Sequence, residues 1–195
     1  MELKEAVYTR RSVRKYQDKA VPEEVLREIL EGACMAPSGI NLQPWYFLAV
    51  SSDAGRKKLQ AYMQETFATF KHTLETRFAN NPEVVTETGN FLTTLGGAPV
   101  VVLAFLLKED YVKNVELGNS PIMSVAAAIE NLLLMAYDKG LATCWTTAAV
   151  DVGPAERIRA DFAPDKGKLL SIIMLGYADQ TPKAPARRAG RFDIV

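Results

Sequence analysis

Pro99-Val100-Val101-Val102-Leu103-Ala104-Phe105-Leu106-Leu107 is an apolar run without polar alternation, and its reading decides the fold class. A strand with one wet face alternates, whereas a strand covered on both faces reads as continuously apolar, so this run predicts a central strand between layers of helix. Leu169 to Leu175 reads the same way. The apolar stretch Ala98 to Leu107 is also too short to span a bilayer, which takes about 20 residues.

Between these strands, Ser120 and Pro121 suit an N-cap and first helical position. The helix then runs through Ile129 and Leu132 to Lys139, with Gly140 as its stop. Its apolar residues (Ile122, Met123, Val125, Ile129, Leu132, Leu133, Leu134, Met135 and Tyr137) point in nearly every direction. Such a helix needs cover all round, from a second subunit or from the core of a monomer.

Upstream, Val25, Leu26, Ile29, Leu30, Ala33 and Cys34 form one face of an amphipathic helix over Glu23 to Met35, entered through Pro22. Ala36 to Pro44 is a loop and Trp45 to Val50 a strand. Ser51, Ser52 and Asp53 cap a helix from Ala54 to Phe70 that carries Leu59, Met63, Phe67 and Phe70. His72 to Gly97 is polar, irregular and interrupted by Asn80, Asn81 and Pro82, which predicts flexible helical pieces or a lid; the Gly96-Gly97 pair reads as a turn before the strand. Gln180 to Val195, with Pro182, Pro185 and an apolar end, reads as an extended arm that crosses onto a partner. Without repeats or linkers, residues 1–195 are expected to form one domain.

With 23 basic and 23 acidic side chains, the overall charge recruits neither nucleic acid nor an anionic membrane. Cys34 and Cys144 make no disulfide framework, and the N-terminus lacks the pattern of a secretory signal, so a soluble cytoplasmic protein is expected. His72 is the sole histidine and lies in a polar helical context, which leaves little for a nucleophile relay or a His-based metal site. No Gly-x-Gly-x-x-Gly or phosphate-loop signature is present.

Three segments can carry chemistry. Thr9-Arg10-Arg11-Ser12-Val13-Arg14-Lys15-Tyr16 packs four cations and the two aliphatic hydroxyls of Thr9 and Ser12 into eight residues, the equipment a phosphate monoester requires, though such a run also serves as a solvated surface. Arg187-Arg188 could close the same site from the far end of the chain. In Ala36-Pro37-Ser38-Gly39-Ile40-Asn41-Leu42-Gln43-Pro44-Trp45, the polar groups of Ser38, Asn41 and Gln43 suit either the edge of a flat heteroaromatic ring or a self-capped turn. Gly140-Leu141-Ala142-Thr143-Cys144-Trp145-Thr146-Thr147-Ala148 offers small residues that a ligand can approach, with Cys144 buried and inert.

Taken in order, and with Leu175-Gly176-Tyr177-Ala178-Asp179 before the arginine-bearing tail, these segments resemble the nitroreductase family of flavoproteins. The resemblance implies an α+β, three-layer fold with a central mixed sheet flanked by helices, an interlocked homodimer, and one FMN at each of two interface sites. It implies that Arg10, Arg11 and Ser12 hold the phosphate with Arg188, and that Arg14 approaches the pyrimidine edge. Pro37, Ser38, Asn41 and Gln43 would reach the flavin of the neighbouring subunit, and Thr147 and Ala148 would lie near the reactive nitrogen N5, with Trp145 close by. Many relatives read Cys-Trp-Ile-Gly where this chain has Cys144-Trp145-Thr146-Thr147. The function implied is hydride transfer from NADH or NADPH through FMN to a nitroaromatic or quinone, with the flavin carrying the chemistry and no metal. Reductases of enone, halogenated or flavin substrates, a flavin-binding module without turnover, and a basic-patch interaction protein are the alternatives.

Overall fold

The computed structural model describes residues 1–107 and 118–195. The expected domain over 1–195 therefore includes residues 108–117, which lie outside those described. In chain order the elements are α1 (Leu3–Thr9), α2 (Glu23–Ala33), β1 (Trp45–Val50), α3 (Asp53–Arg77), α4 (Pro82–Thr94), β2 (Val100–Leu106), α5 (Ser120–Asp138), β3 (Ala142–Thr146), α6 (Ala148–Asp151), α7 (Ala155–Phe162) and β4 (Lys168–Gly176).

The described strands form one sheet in the order β1-β2-β4-β3. The two apolar runs are its inner strands, paired antiparallel with Leu103 opposite Ile172 and Val100 opposite Leu175. Their alternate side chains enter two separate cores. Leu103, Phe105, Leu169, Ile172 and Met174 pack with Leu59, Met63, Phe91 and Leu92 on one face. Val100, Val102, Ala104, Ile173 and Leu175 pack with Ile29, Val125, Ile129 and Leu132 on the other. Helix–sheet–helix layering thus follows from a strand pair that has no polar face to offer water.

Three expectations need correction. The paired strands are antiparallel throughout, where a mixed sheet was implied; the parallel contact seen is an isolated bridge between Ser12 and Thr143. The helix expected to end at Phe70 continues to Arg77, and α4 follows after Asn81, so residues 72–97 form two packed helices and a short turn rather than loose pieces. Leu74, Val85, Phe91 and Leu92 are buried and hold that hairpin down, a pattern hidden by its many polar residues. Ser120 is the first residue of α5 rather than its cap, which is Asn119. Within one chain Ile122 and Met123 of α5 are exposed.

By length and composition α5, with a mean hydropathy of 1.3, could cross a membrane. Here Val125, Ala128, Ile129, Leu132 and Ala136 are buried against the sheet and α2, as in a core helix. Ser52 caps α3 by accepting the Gly55 N–H at 3.2 Å, and Gly140 stops α5 with φ 73°, both as the sequence predicts.

Candidate functional site

β3 ends the sheet, and its outer edge is covered by the basic segment. The Val13 N–H donates to the Thr143 carbonyl at 3.0 Å, and the Tyr16 N–H donates to the Gly96 carbonyl at 2.9 Å. Two further bonds, Gln17 N–H to Tyr177 and Asp179 N–H to Lys15, fasten it to the end of β4. Val13 and Tyr16 are buried as anchors, which leaves Arg10, Arg11 and Ser12 half-buried and Arg14 and Lys15 exposed. A sequence that alternates anchors with cations therefore becomes a fixed row of positive charge.

Tyr16 is the central anchor. Its hydroxyl donates to the Val13 carbonyl at 2.6 Å and lies 3.3 Å from that of Met174. Burial pushes its pKa far above the ordinary tyrosine value, with Cys144 adding to the effect and the Arg14 charge opposing it. The sign is that of a group kept neutral by folding: its stabilising contribution is complete below pH 10 and is lost as pH rises beyond the unfolded value. Tyr16→Phe is expected to lower stability at pH 7 by about 1–2 kcal/mol and to flatten the alkaline loss seen in denaturant titrations from pH 9 to 11.

Ion pairing within the row is incomplete. Arg10 Nε faces Glu130 on α5 at 3.9 Å, and Lys15 pairs with Asp179 at 2.9 Å. Arg11 bonds the Arg10 carbonyl, and the Arg14 guanidinium lies 5.8 Å from the centre of the Phe91 ring. Neither Arg11 nor Arg14 has a carboxylate partner among the described residues. Burial raises the pKa of the Cys144 thiol, opposed by the Arg14 and then the Arg10 charge. Cys144 is buried, as expected of an inert thiol.

Beyond β3 the chain turns into α6. The Ala148 N–H donates to Thr146 Oγ1 at 3.2 Å, and the Thr147 hydroxyl donates to Asp151 Oδ2 at 2.7 Å. The N–H groups of Thr147 and Ala149 make no bond among the described residues. Trp145 is partly exposed alongside.

The loop before β1 shows the self-capped turn weighed from its sequence. The Gln43 N–H donates to Ser38 Oγ at 3.0 Å, and Gln43 Nε2 donates to Asn41 Oδ1 at 3.0 Å. Ile40, Asn41 and Gln43 all have positive φ, between 48° and 58°, a backbone disfavoured for residues with side chains. Asn41 Nδ2 and Gln43 Oε1 keep spare hydrogen-bonding capacity, while Pro37, Asn41 and Gln43 are exposed.

The structure does not bring this loop to the basic row within one chain. Gly39 lies against Ser120, at the start of α5, whereas Arg10 faces Glu130. Ten helical residues separate those points by about 15 Å. Arg188 lies in the exposed tail, without a hydrogen bond or ion pair among the described residues. Glu130, Phe91 and Asp151 join the site without having been singled out from sequence. Glu130 did carry a signal, as the one charged residue between Ser120 and Tyr137 in an otherwise apolar helix.

The chain is thus a layered α+β fold whose sheet edge carries a row of arginines, two of them without a carboxylate partner among the described residues. The nitroreductase family model matches residues 7–177. A Bacillus subtilis protein, YfhC, provisionally named an NAD(P)H nitroreductase, is 30% identical over 95% of this chain and 89% of its own length. Iodotyrosine deiodinase 1 of Mus musculus is 28% identical over 100% of this chain and 68% of its own. A Bacteroides fragilis nitroreductase solved with bound FMN superposes with a TM-score of 0.74 at 27% identity, covering 100% of this chain and 99% of that one. The chain belongs to the nitroreductase family.

Proposed function

We propose that this chain is an FMN-dependent oxidoreductase that passes a hydride from NADH or NADPH to a small oxidised organic acceptor, such as a nitroaromatic or quinone, and works as a homodimer. The observation that carries this reading is the fixed arginine row at the β3 edge, with Arg11 and Arg14 unmatched by carboxylates among the described residues. A phosphate monoester fits that donor set, because guanidinium forks and the Ser12 hydroxyl supply charge-assisted bonds. Arg10, Arg11 and Ser12 would hold the phosphate, and Arg188 would add a further cation from the tail. Arg14 would set positive charge beside the pyrimidine edge. Thr147 and Ala148 would lie near N5.

When bound, FMN supplies the two-electron centre that accepts hydride from the reduced nicotinamide and yields it to the acceptor. The protein's task is to hold that ring, to leave one face open for two substrates in turn, and to keep bulk water from the charges around it. None of this requires an acid–base dyad from the chain.

Pro37, Ser38, Asn41 and Gln43 reach the ring held by the neighbouring subunit, which accounts for a strained polar loop lying far from its own arginine row. Other features support the dimer: the exposed Ile122 and Met123 of α5, the exposed Leu3, Val7 and Tyr8 of α1, and the exposed Phe192, Ile194 and Val195 of the tail. Among the described residues no strand pairs with the outer edge of β1, and the groove of about 650 Å³ beside it, lined by Leu26, Leu30, Trp45 and Phe47, offers that tail a seat. Two free cysteines suit the cytoplasm.

The similarity of the whole of this chain to 68% of iodotyrosine deiodinase 1 favours a second reading, a reductase specialised for halogenated substrates. The test is anaerobic mixing of FMN-loaded protein with NADH or NADPH. Bleaching of the oxidised flavin, then recovery on adding a nitro compound or quinone, is expected; an unbleached spectrum overturns the reading. Recovery with a halogenated phenol alone selects the second.

A further inference from the structure

Thr147 is the residue before α6, yet its hydroxyl caps none of that helix's amides. It donates instead to Asp151 Oδ2, 2.7 Å away. A hydroxyl whose proton is committed in this way presents only lone pairs to the outside. Both residues are exposed, and Asp151 has no cationic partner among the described residues. The neighbouring Thr146 hydroxyl is also committed, to the Ala148 N–H.

The charges along β3 are therefore polarised. The basic segment meets β3 at Thr143, through the Ser12 bridge and the Val13 N–H. Thr147 lies four residues further on, about 13 Å along an extended chain. Among the described residues, one end of the site carries Arg11 and Arg14 without a carboxylate partner, and the other carries Asp151 without a cation, beside an acceptor-only hydroxyl. On the reading above, the cationic end is occupied by the phosphate and pyrimidine of FMN, so the charge that an incoming acceptor meets is that of Asp151.

We propose that Asp151, with Thr147 fixed beside it, is a specificity-determining residue that selects neutral and cationic acceptors over anionic ones. The inference rests on the proposed FMN oxidoreductase function. A carboxylate repels a like charge and leaves the acceptor-only hydroxyl facing an anion without a proton to offer, whereas an ammonium or amide N–H finds two acceptors.

The experiment uses the FMN-loaded protein and three acceptors of similar shape: 4-nitrobenzoate, 4-nitrobenzamide and 4-nitrobenzylamine. Binding to the oxidised holoprotein is read from perturbation of the flavin absorbance, and kcat/KM from turnover with NADH. Wild type is expected to favour the amine over the benzoate by at least about tenfold in both readouts at low salt, a preference that shrinks as salt screens the charge. Asp151→Asn is expected to reduce that ratio about fivefold to tenfold while the amide is little affected, and Asp151→Glu is expected to retain the ratio. A purely structural role for Asp151 would shift all three acceptors together. Equal binding of amine and benzoate by wild type at low salt overturns the proposal without any variant, and so does an unchanged ratio in Asp151→Asn. Protein that fails to take up FMN or to bleach with NAD(P)H instead defeats the oxidoreductase reading itself.

Discussion

Replacing Arg11 with alanine is expected to weaken FMN binding by about 10- to 100-fold while leaving riboflavin binding nearly unchanged. A hydrogen bond to a charged group contributes about 1.5–3 kcal/mol, and each 1.4 kcal/mol is a factor of ten in affinity. Arg11 is the residue to change because it is half-buried beside the anchored Val13 and has no carboxylate to hold it elsewhere. Riboflavin lacks the phosphate, so the contrast between the two ligands separates a lost anion contact from a damaged fold. Fluorescence titration of the apoprotein with each ligand measures both. Equal losses for FMN and riboflavin would show that Arg11 supports the ring rather than the phosphate.

The second large effect is expected at Gly96, where the glycine does two jobs. Its φ of 63° is left-handed, and an added Cβ would stand 2.4 Å from the Arg14 carbonyl oxygen. Its own carbonyl accepts the Tyr16 N–H. Alanine there carries about 1–2 kcal/mol of left-handed backbone strain, and the clash adds about 1–3 kcal/mol more. The contact is with backbone, which relaxes only by pushing the whole basic row away from β3. Gly96→Ala should therefore lose about 2–4 kcal/mol in urea unfolding and weaken FMN binding as well. Gly140→Ala is the control, since Gly140 has φ 73° but nothing within 4 Å of an added Cβ. It should lose about 1–2 kcal/mol in stability and leave FMN affinity alone.

The layering of the fold was legible because the physics behind it is local. Val100 to Leu106 and Leu169 to Leu175 show no alternation, and a strand without a polar face must be covered twice. The caps at Ser52 and Gly140 were readable for the same reason, each being settled by one side chain or by the lack of one. The α3–α4 hairpin was not readable. It is held by Leu74, Val85, Phe91 and Leu92, scattered among charged and polar residues, so the buried stripe is too thin to register as a period. The direction of strand pairing was also out of reach, since an apolar run reads the same whichever way its neighbour travels.

At the site, the residue types were visible and their grouping was not. The cations of Arg10 to Lys15 announce themselves by density, but Gly96, Phe91 and Glu130 come from α4, the turn after it and α5, and meet the row only through tertiary packing. The clasp from Thr147 to Asp151 spans four residues and could have been read from sequence. What concealed it is that a threonine before a helix ordinarily caps the helix instead of donating to a carboxylate.

The account stands or falls on one arrangement: an arginine row from one protomer and a polar loop from its partner closing on a single FMN. Subunit mixing tests it most directly. Arg11→Ala protein is refolded together with protein carrying Ser38→Ala, Asn41→Ala and Gln43→Ala, each preparation binding FMN poorly alone. A mixed dimer then contains one site with both defects and one with neither. Recovery of a single tight FMN site per mixed dimer is the result predicted; mixed dimers that bind FMN no better than either parent would contradict it.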